Sequence, residues 1–257
     1  MCGVKLYCDK SFGEQAKDKM KCPINEEELL SAISNAKSKK SPGPDGITYE
    51  FYAVHFELLR DDLLKLFNGL LDNSISPMEN FSNGVITLIP KKGKSKELKD
   101  FRPISMLNTD YKLFTKIIAN RISGCIEEVI GEGQTAVING KSCIDNLDVL
   151  RTLIFKAQQS KAMKFALLSL DLEKAFDVVN HDRLWETLEK FNLPREIITV
   201  IQRLYSNASS QVLVNGSLTS FINIGRSVRQ GCPLSMVLFV MFRRGSMLRQ
   251  IDKSTLS

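Results

Sequence analysis

Asp171 is the residue best placed for chemistry. It stands where the continuous apolar run Phe165 to Leu170 meets polar sequence, Asp171-Leu172-Glu173-Lys174-Ala175-Phe176-Asp177. A run of that length predicts a strand buried on both faces. A carboxylate at its end, beside carbonyls free to turn outward, is a natural ligand for a hard cation such as Mg²⁺. An N-cap or loop aspartate would fit the same pattern. Glu173 and Asp177 are weaker candidates, since Asp177 can simply cap the turn toward Asn180. Other chemistries are poorly supplied. The cysteines (Cys2, Cys8, Cys22, Cys125, Cys143, Cys232) form no C-x-x-C pair, and His55 and His181 lie far apart, which disfavours zinc and a disulfide framework alike. Gly140-Lys141-Ser142 has the end of a phosphate-binding loop, but Thr135 occupies the position of the glycine that spacing requires.

Charge points to a polyanionic partner. The chain has 257 residues, with 35 Lys+Arg against 29 Asp+Glu and a net charge of +6. Ile86 to Ile122 alone holds Lys91, Lys92, Lys94, Lys96, Lys99, Arg102, Lys112, Lys116 and Arg121 against Glu97, Asp100 and Asp110. A second excess, Arg226, Arg229, Arg243, Arg244, Arg249 and Lys253 against Asp252, lies near the C-terminus. Two basic stretches suit an anionic polymer or a polyphosphate, with a solvated basic face as the plainer alternative. The 43% apolar content excludes a wholly disordered chain. No run approaches the roughly 18 apolar residues of a membrane-spanning helix. Met1 to Asp9 lacks the order of a secretion signal, so an intracellular protein, nuclear or cytoplasmic, is expected.

The surrounding pattern supplies the elements that would position these residues. Residues 1–22 are polar and aperiodic and read as a flexible lead-in. Asn25 followed by Glu26, Glu27 and Glu28 opens a helix. Ser41-Pro42-Gly43-Pro44-Asp45-Gly46 forbids regular structure. Phe51 to Leu71 has helical spacing, Val85 to Ile89 reads as a strand stopped by Pro90, and Tyr111 to Ile130 predicts a helix with Leu113, Phe114, Ile117, Ile118 and Ile122 facing inward. A further helix should begin near Ser142 or Asp145 and bury Leu147, Leu150, Leu153 and Ile154. Helices follow over His181 to Phe191 and Ile197 to Tyr205. Asn215-Gly216 marks a hairpin between Gln211–Val214 and Phe221–Ile224, and Pro233 opens a last helix. Helices and strands without strict alternation indicate an α+β architecture.

In this order the motifs resemble the reverse transcriptase domain of non-LTR (long interspersed type) retrotransposons, from about Cys22 to about Val240. Ser41 to Gly46 looks like that family's opening loop. Leu88-Ile89-Pro90-Lys91-Lys92 and Phe101-Arg102-Pro103-Ile104-Ser105 with Leu107-Asn108 look like its fingers motifs. Gln134-Thr135-Ala136 with Asp145-Asn146 is similar to the segment before the palm. Leu170-Asp171 through Phe176-Asp177, and Arg229-Gln230-Gly231-Cys232-Pro233-Leu234-Ser235, resemble the first and second palm motifs.

The resemblance implies a right-hand polymerase: a fingers-like region over 23–160 and a partial palm over 161–257, with helices packed on a small antiparallel sheet. It implies RNA-directed DNA synthesis on an RNA template and RNA:DNA duplex from dNTPs, assisted by Mg²⁺. Asp171 would be the catalytic carboxylate, binding metal together with the carbonyl of Leu172. Phe176 would close the sugar pocket, Arg102 with Lys91 or Lys92 would hold the triphosphate, and Gln230-Gly231 would lie against the template base and incoming nucleotide. The family's second acidic site, a Tyr/Phe-x-Asp-Asp hairpin, has no counterpart here. After Cys232 the only aspartate is Asp252, and Asp61-Asp62 precedes the first palm motif. The stretch Met241 to Ser246 also departs from the family's pattern. The expectation is therefore a truncated domain, inactive or nearly so by itself, whose open sheet edge leaves it marginally stable. The alternative from another class is a non-catalytic nucleic-acid-binding remnant.

Overall fold

The computed structural model describes residues 10–254 apart from 79, 92–96, 132, 160–165 and 207, and for 99 and 246–254 it describes the backbone alone. Helix α1 (Glu14–Lys21) buries Ala16 and Met20, and the preceding Phe12 is buried with them while its N–H donates to the Phe191 carbonyl at 2.9 Å. The supposed lead-in thus belongs to the core from residue 10 onward. Its three apolar anchors find their partners only in tertiary contact, so no local period announces them.

Helix α2 (Glu26–Ser34) starts as its sequence demands. The Asn25 side chain accepts from the Glu28 N–H at 2.9 Å, and the Glu28 carboxylate accepts in return from the Asn25 N–H. The long helix expected next is two, α3 (Tyr49–Val54) and α4 (Phe56–Leu71), broken at His55. Strands β1 (Gly84–Pro90) and β2 (Phe101–Leu107) pair antiparallel along their whole length. Helix α5 (Thr109–Ser123) follows and buries Leu113, Phe114, Ile117, Ile118 and Ile122, as its spacing requires. It ends at Gly124 and yields to a 3₁₀ turn at Ile126–Glu128, short of the expected end.

Arg121 on α5 fastens the N-terminal helices. Its Nε and Nη2 each donate to Glu28 at 2.7 Å, Nη1 donates to the Met20 and Cys22 carbonyls, and Nη2 also reaches the Pro23 carbonyl. All five guanidinium donors are consumed by one junction. Burial pushes the Glu28 carboxyl up, but the Arg121 guanidinium beside it outweighs this and holds it below the ordinary carboxylate range. Lys112 is likewise turned inward, 5.1 Å above the Tyr49 ring. Two cations of the basic stretch are thereby committed to the interior.

Helices α6 (Cys143–Gln159), α7 (His181–Lys190) and α8 (Arg195–Ser206) lead to β3 (Ser209–Val214), β4 (Ser217–Leu218), β5 (Ile222–Asn223) and α9 (Ser235–Ser254). Asn215 and Gly216, at φ 49° and 81°, make the tight turn between β3 and β4. The sheet runs β2-β1-β3-β4, with β5 against the start of β3. It is mixed, not antiparallel throughout as expected: β1 pairs parallel with β3, Gly84 opposite Ser210 through Thr87 opposite Leu213. A parallel neighbour needs a long crossover, here the helices between β2 and β3, and so leaves no local signature.

Two further expectations are overturned. Residues 166–170 form no strand and lie exposed, Leu168 at 77% and Leu170 at 82%; Phe165 lies outside the described residues. Helix α6 buries none of its residues, and Leu147, Leu153 and Ile154 face solvent. An apolar run becomes a strand only where another strand takes up its hydrogen bonds, and a helical stripe is inward only where something covers it. Exposed apolar patches of this extent drive association. The 257-residue chain should bind a hydrophobic dye and show concentration-dependent mass in light scattering, and Leu168→Lys with Leu170→Lys should reduce both. A monodisperse, dye-negative monomer would refute this.

Candidate active site

The paired strands β1 and β2 form a ribbon whose far end carries two of the anticipated cations. Arg102 stands opposite Ile89, and the Lys91 N–H donates to the Asp100 carbonyl at 2.8 Å, closing the end. Both side chains are exposed there, while Lys92 lies outside the described residues. Guanidinium and ammonium groups are the side chains suited to the oxygens of a phosphate chain.

The near end of β2 is latched by the opening loop. A Cβ on Gly43 would lie 2.3 Å from the Asn108 N and Oδ1, so only glycine fits there. The Thr109 hydroxyl donates to the Ile47 carbonyl at 2.6 Å and Lys112 Nζ to that of Ser41 at 3.5 Å. Burial lowers the Lys112 ammonium below its usual range and pushes the Tyr49 phenol up to about 12, and burial, with Asp45 nearby, raises the Asp110 carboxyl.

Between these ends the second palm motif meets the fingers strand. The Ser105 N–H donates to the Gln230 carbonyl at 2.7 Å. Gly231 has φ +121°, and a Cβ there would lie 2.4 Å from the Ser105 oxygen. Beneath them Arg229, 3% exposed, donates to the Ser82 and Ser209 carbonyls and the Ser210 hydroxyl, 6.0 Å from the Tyr111 ring centroid. Carbonyl dipoles and an aromatic face surround its charge, while its buried Nε has no acceptor. Arg229 was part of a recognisable motif, but nothing in the sequence distinguished this buried clamp from a surface cation.

The first palm motif is stapled to the same loop. The Val228 N–H donates to the Phe176 carbonyl at 3.1 Å, the Ser227 N–H to that of Val179 at 2.9 Å, and Asn180 bridges to Arg226. The His181 imidazole Nε2 lies 2.8 Å from the Ser227 carbonyl. The Phe176 ring is half-buried against Phe239 of α9, centroids 5.0 Å apart. Phe176, Gln230, Gly231 and the middle of β2 are therefore brought together by the backbone itself. Asp171 lies upstream of this staple, exposed, with its Oδ1 accepting from the Leu172 N–H at 2.9 Å. Glu173 and Asp177 are exposed too.

Among the described residues no three His, Cys, Asp or Glu side chains cluster as a metal would require. Asp171 and the Leu172 carbonyl offer one carboxylate and one carbonyl. That is enough for a single Mg²⁺ whose shell is completed by water and substrate phosphate, and too little for two ions. No described helix is long and apolar enough to cross a membrane.

Residues 89–255 match the profile of a family described as reverse transcriptase (RNA-dependent DNA polymerase). The chain is 35% identical over 226 residues to the uncharacterized 149 kDa protein of transposon TX1 from Xenopus laevis, covering 88% of this chain and 17% of that protein. It is 28% identical to the retrovirus-related Pol polyprotein of a type-1 R2 retrotransposable element from Nasonia vitripennis, over 91% of this chain and 22% of that one. It is 30% identical to a probable RNA-directed DNA polymerase from transposon BS of Drosophila melanogaster, over 84% and 23% respectively. The chain thus spans about a fifth of the length of these relatives.

Proposed function

Because this chain belongs to the reverse transcriptase family, in the non-LTR retrotransposon group, we propose that it forms the nucleotide- and template-facing part of an RNA-directed DNA polymerase. The observation that carries the reading is the staple that sets Phe176 and Gln230-Gly231 against β2. In this reading Arg102 of β2, assisted by Lys91 or Lys92, holds the triphosphate of a dNTP. Phe176 limits the sugar pocket, and Gln230 with the bare backbone of Gly231 faces the paired bases. Asp171 with the Leu172 carbonyl supplies the protein ligands of one divalent ion. Of the remaining lysines of the basic stretch, Lys116, exposed on α5, meets the backbone of an RNA:DNA duplex.

Fluorescence anisotropy with a labelled RNA:DNA template–primer tests the reading. Affinity should fall steeply with salt, with a log–log slope of about −4 for a handful of phosphate contacts. Arg102→Ala should weaken binding across sequences and make that slope shallower by about 1. Salt-independent binding, or none at low salt, would refute the proposal. The rival reading, nucleic-acid binding without catalysis, is favoured by the lack of a carboxylate cluster around Asp171 among the described residues, and only synthesis separates the two.

A further inference from the structure

A second feature lies away from the staple, between the loop after the 3₁₀ turn and the middle of α9. There a cavity of about 260 Å³ is lined by Ile130, Gly131, Gln134, Val240, Arg243 and Arg244 among others. Ile130 and Val240, each 3% exposed, make its apolar floor. Next to the arginines α9 approaches α7 closely: a Cβ on Gly245 would lie 2.5 Å from the Thr187 side chain, so the two helices touch there. Gly131 in turn lets the Arg244 guanidinium lie along the backbone, with Nη1 3.4 Å from where a Cβ would stand.

The polar groups facing this space have donors to spare. Arg244 Nε is buried and has no acceptor. Neither Arg243 nor Arg244 pairs with a carboxylate among the described residues. The Gln134 Oε1 already accepts from the Ala136 N–H at 3.0 Å, which leaves the amide NH₂ to donate. A cavity furnished with two guanidinium groups and an amide donor selects a ligand that only accepts, and the planar guanidinium fork matches the oxygens of an oxyanion. We infer that this cavity is a phosphate-binding site, separate from the Arg102 end of the ribbon. The site itself stands on this geometry. That its phosphate is supplied by a nucleic-acid backbone rests on the function proposed above.

Inorganic phosphate is the first probe, titrated into the intact chain by isothermal calorimetry at constant ionic strength set with NaCl. The expected result is saturable binding that falls about tenfold or more in Arg244→Gln and in Arg243→Gln. Arg243→Gln guards against a folding defect in the partly buried Arg244 variant, and matched thermal transitions certify both. The second arm repeats the template–primer titration. A salt slope shallower by about 1 in each variant identifies the duplex backbone as the source. An unchanged slope with phosphate binding lost identifies a free phosphate group at the same site. Wild-type protein that binds no phosphate, or variants that bind it as well as wild type, overturns the site. Loss of template–primer binding with the phosphate site intact would instead count against the proposed function alone.

Discussion

Gly231→Ala is expected to lower the thermal transition by about 10 °C and to weaken template–primer binding with it. The backbone at Gly231 has φ +121°, a region that costs a side-chain-bearing residue about 1–3 kcal/mol. The added Cβ would also lie 2.4 Å from the Ser105 oxygen, a backbone atom in the middle of β2 that cannot turn aside as a side chain would. The loop cannot retreat without breaking the bond from the Ser105 N–H to the Gln230 carbonyl, worth about 1 kcal/mol. Together these come to about 4 kcal/mol, and in a chain of this size each kcal/mol moves the transition by about 2–4 °C. Gly216→Ala is the control. Its φ is +81°, but nothing lies within 4 Å of the added methyl, so it should show the strain alone, a third to a half of the loss. Equal shifts in the two variants would show that the contact with β2 carries no energy.

That contact also shows what a sequence can and cannot disclose. The motif around Gln230 was legible as a glycine-bearing loop ahead of Pro233, because the reason for glycine is local. The identity of the neighbouring strand was not, since Ser105 and Gly231 stand far apart in sequence and meet only through the fold. The same division runs through the molecule. The capped start of α2 at Asn25, the inner face of α5 and the tight turn at Asn215-Gly216 were all legible, since each follows from hydrogen bonds or periodicity within a few residues. The parallel pairing of β1 with β3 and the burial of Phe12 and Met20 were not, because each depends on an element distant in sequence.

Charge and hydrophobicity diverge from the sequence pattern for one reason. Arg121, Lys112 and Arg229 belong to the basic stretches, yet Arg121 binds Glu28 and three carbonyls, Lys112 lies over Tyr49, and Arg229 sits beneath the Gln230 loop. Formal charge overstates the cations free to meet phosphate. Conversely, the residues of 166–170 and the stripe of α6 are apolar yet exposed, because burial requires a partner surface. The residues proposed for chemistry were legible by type and order. Their convergence was not, for it is made by backbone bonds such as that from Val228 to Phe176.

The 257-residue chain, given oligo-primed RNA, dNTPs and Mg²⁺, is expected to yield no extension above the enzyme-free background. In-line nucleotidyl transfer needs one ion to lower the pKa of the attacking hydroxyl and a second to neutralise the leaving phosphate, held a few ångströms apart by shared carboxylates. Asp171 is one carboxylate, exposed, its Oδ1 already bonded to the Leu172 N–H, and the 166–170 segment before it is not anchored in the sheet. Such a group can accompany a metal–nucleotide complex but cannot fix two ions in register. Asp171→Ala should therefore leave the assay at background and leave template–primer affinity almost unchanged, since that affinity comes from Lys and Arg contacts to phosphate. In a longer polypeptide that supplies an aspartate pair, the same substitution should remove extension by a factor of about 10³ or more, the scale of losing a charge-stabilising group in the transition state. Template-dependent synthesis by the 257 residues alone, abolished by Asp171→Ala, would overturn this account, because it would require a second acidic ligand beyond those that the described residues bring together.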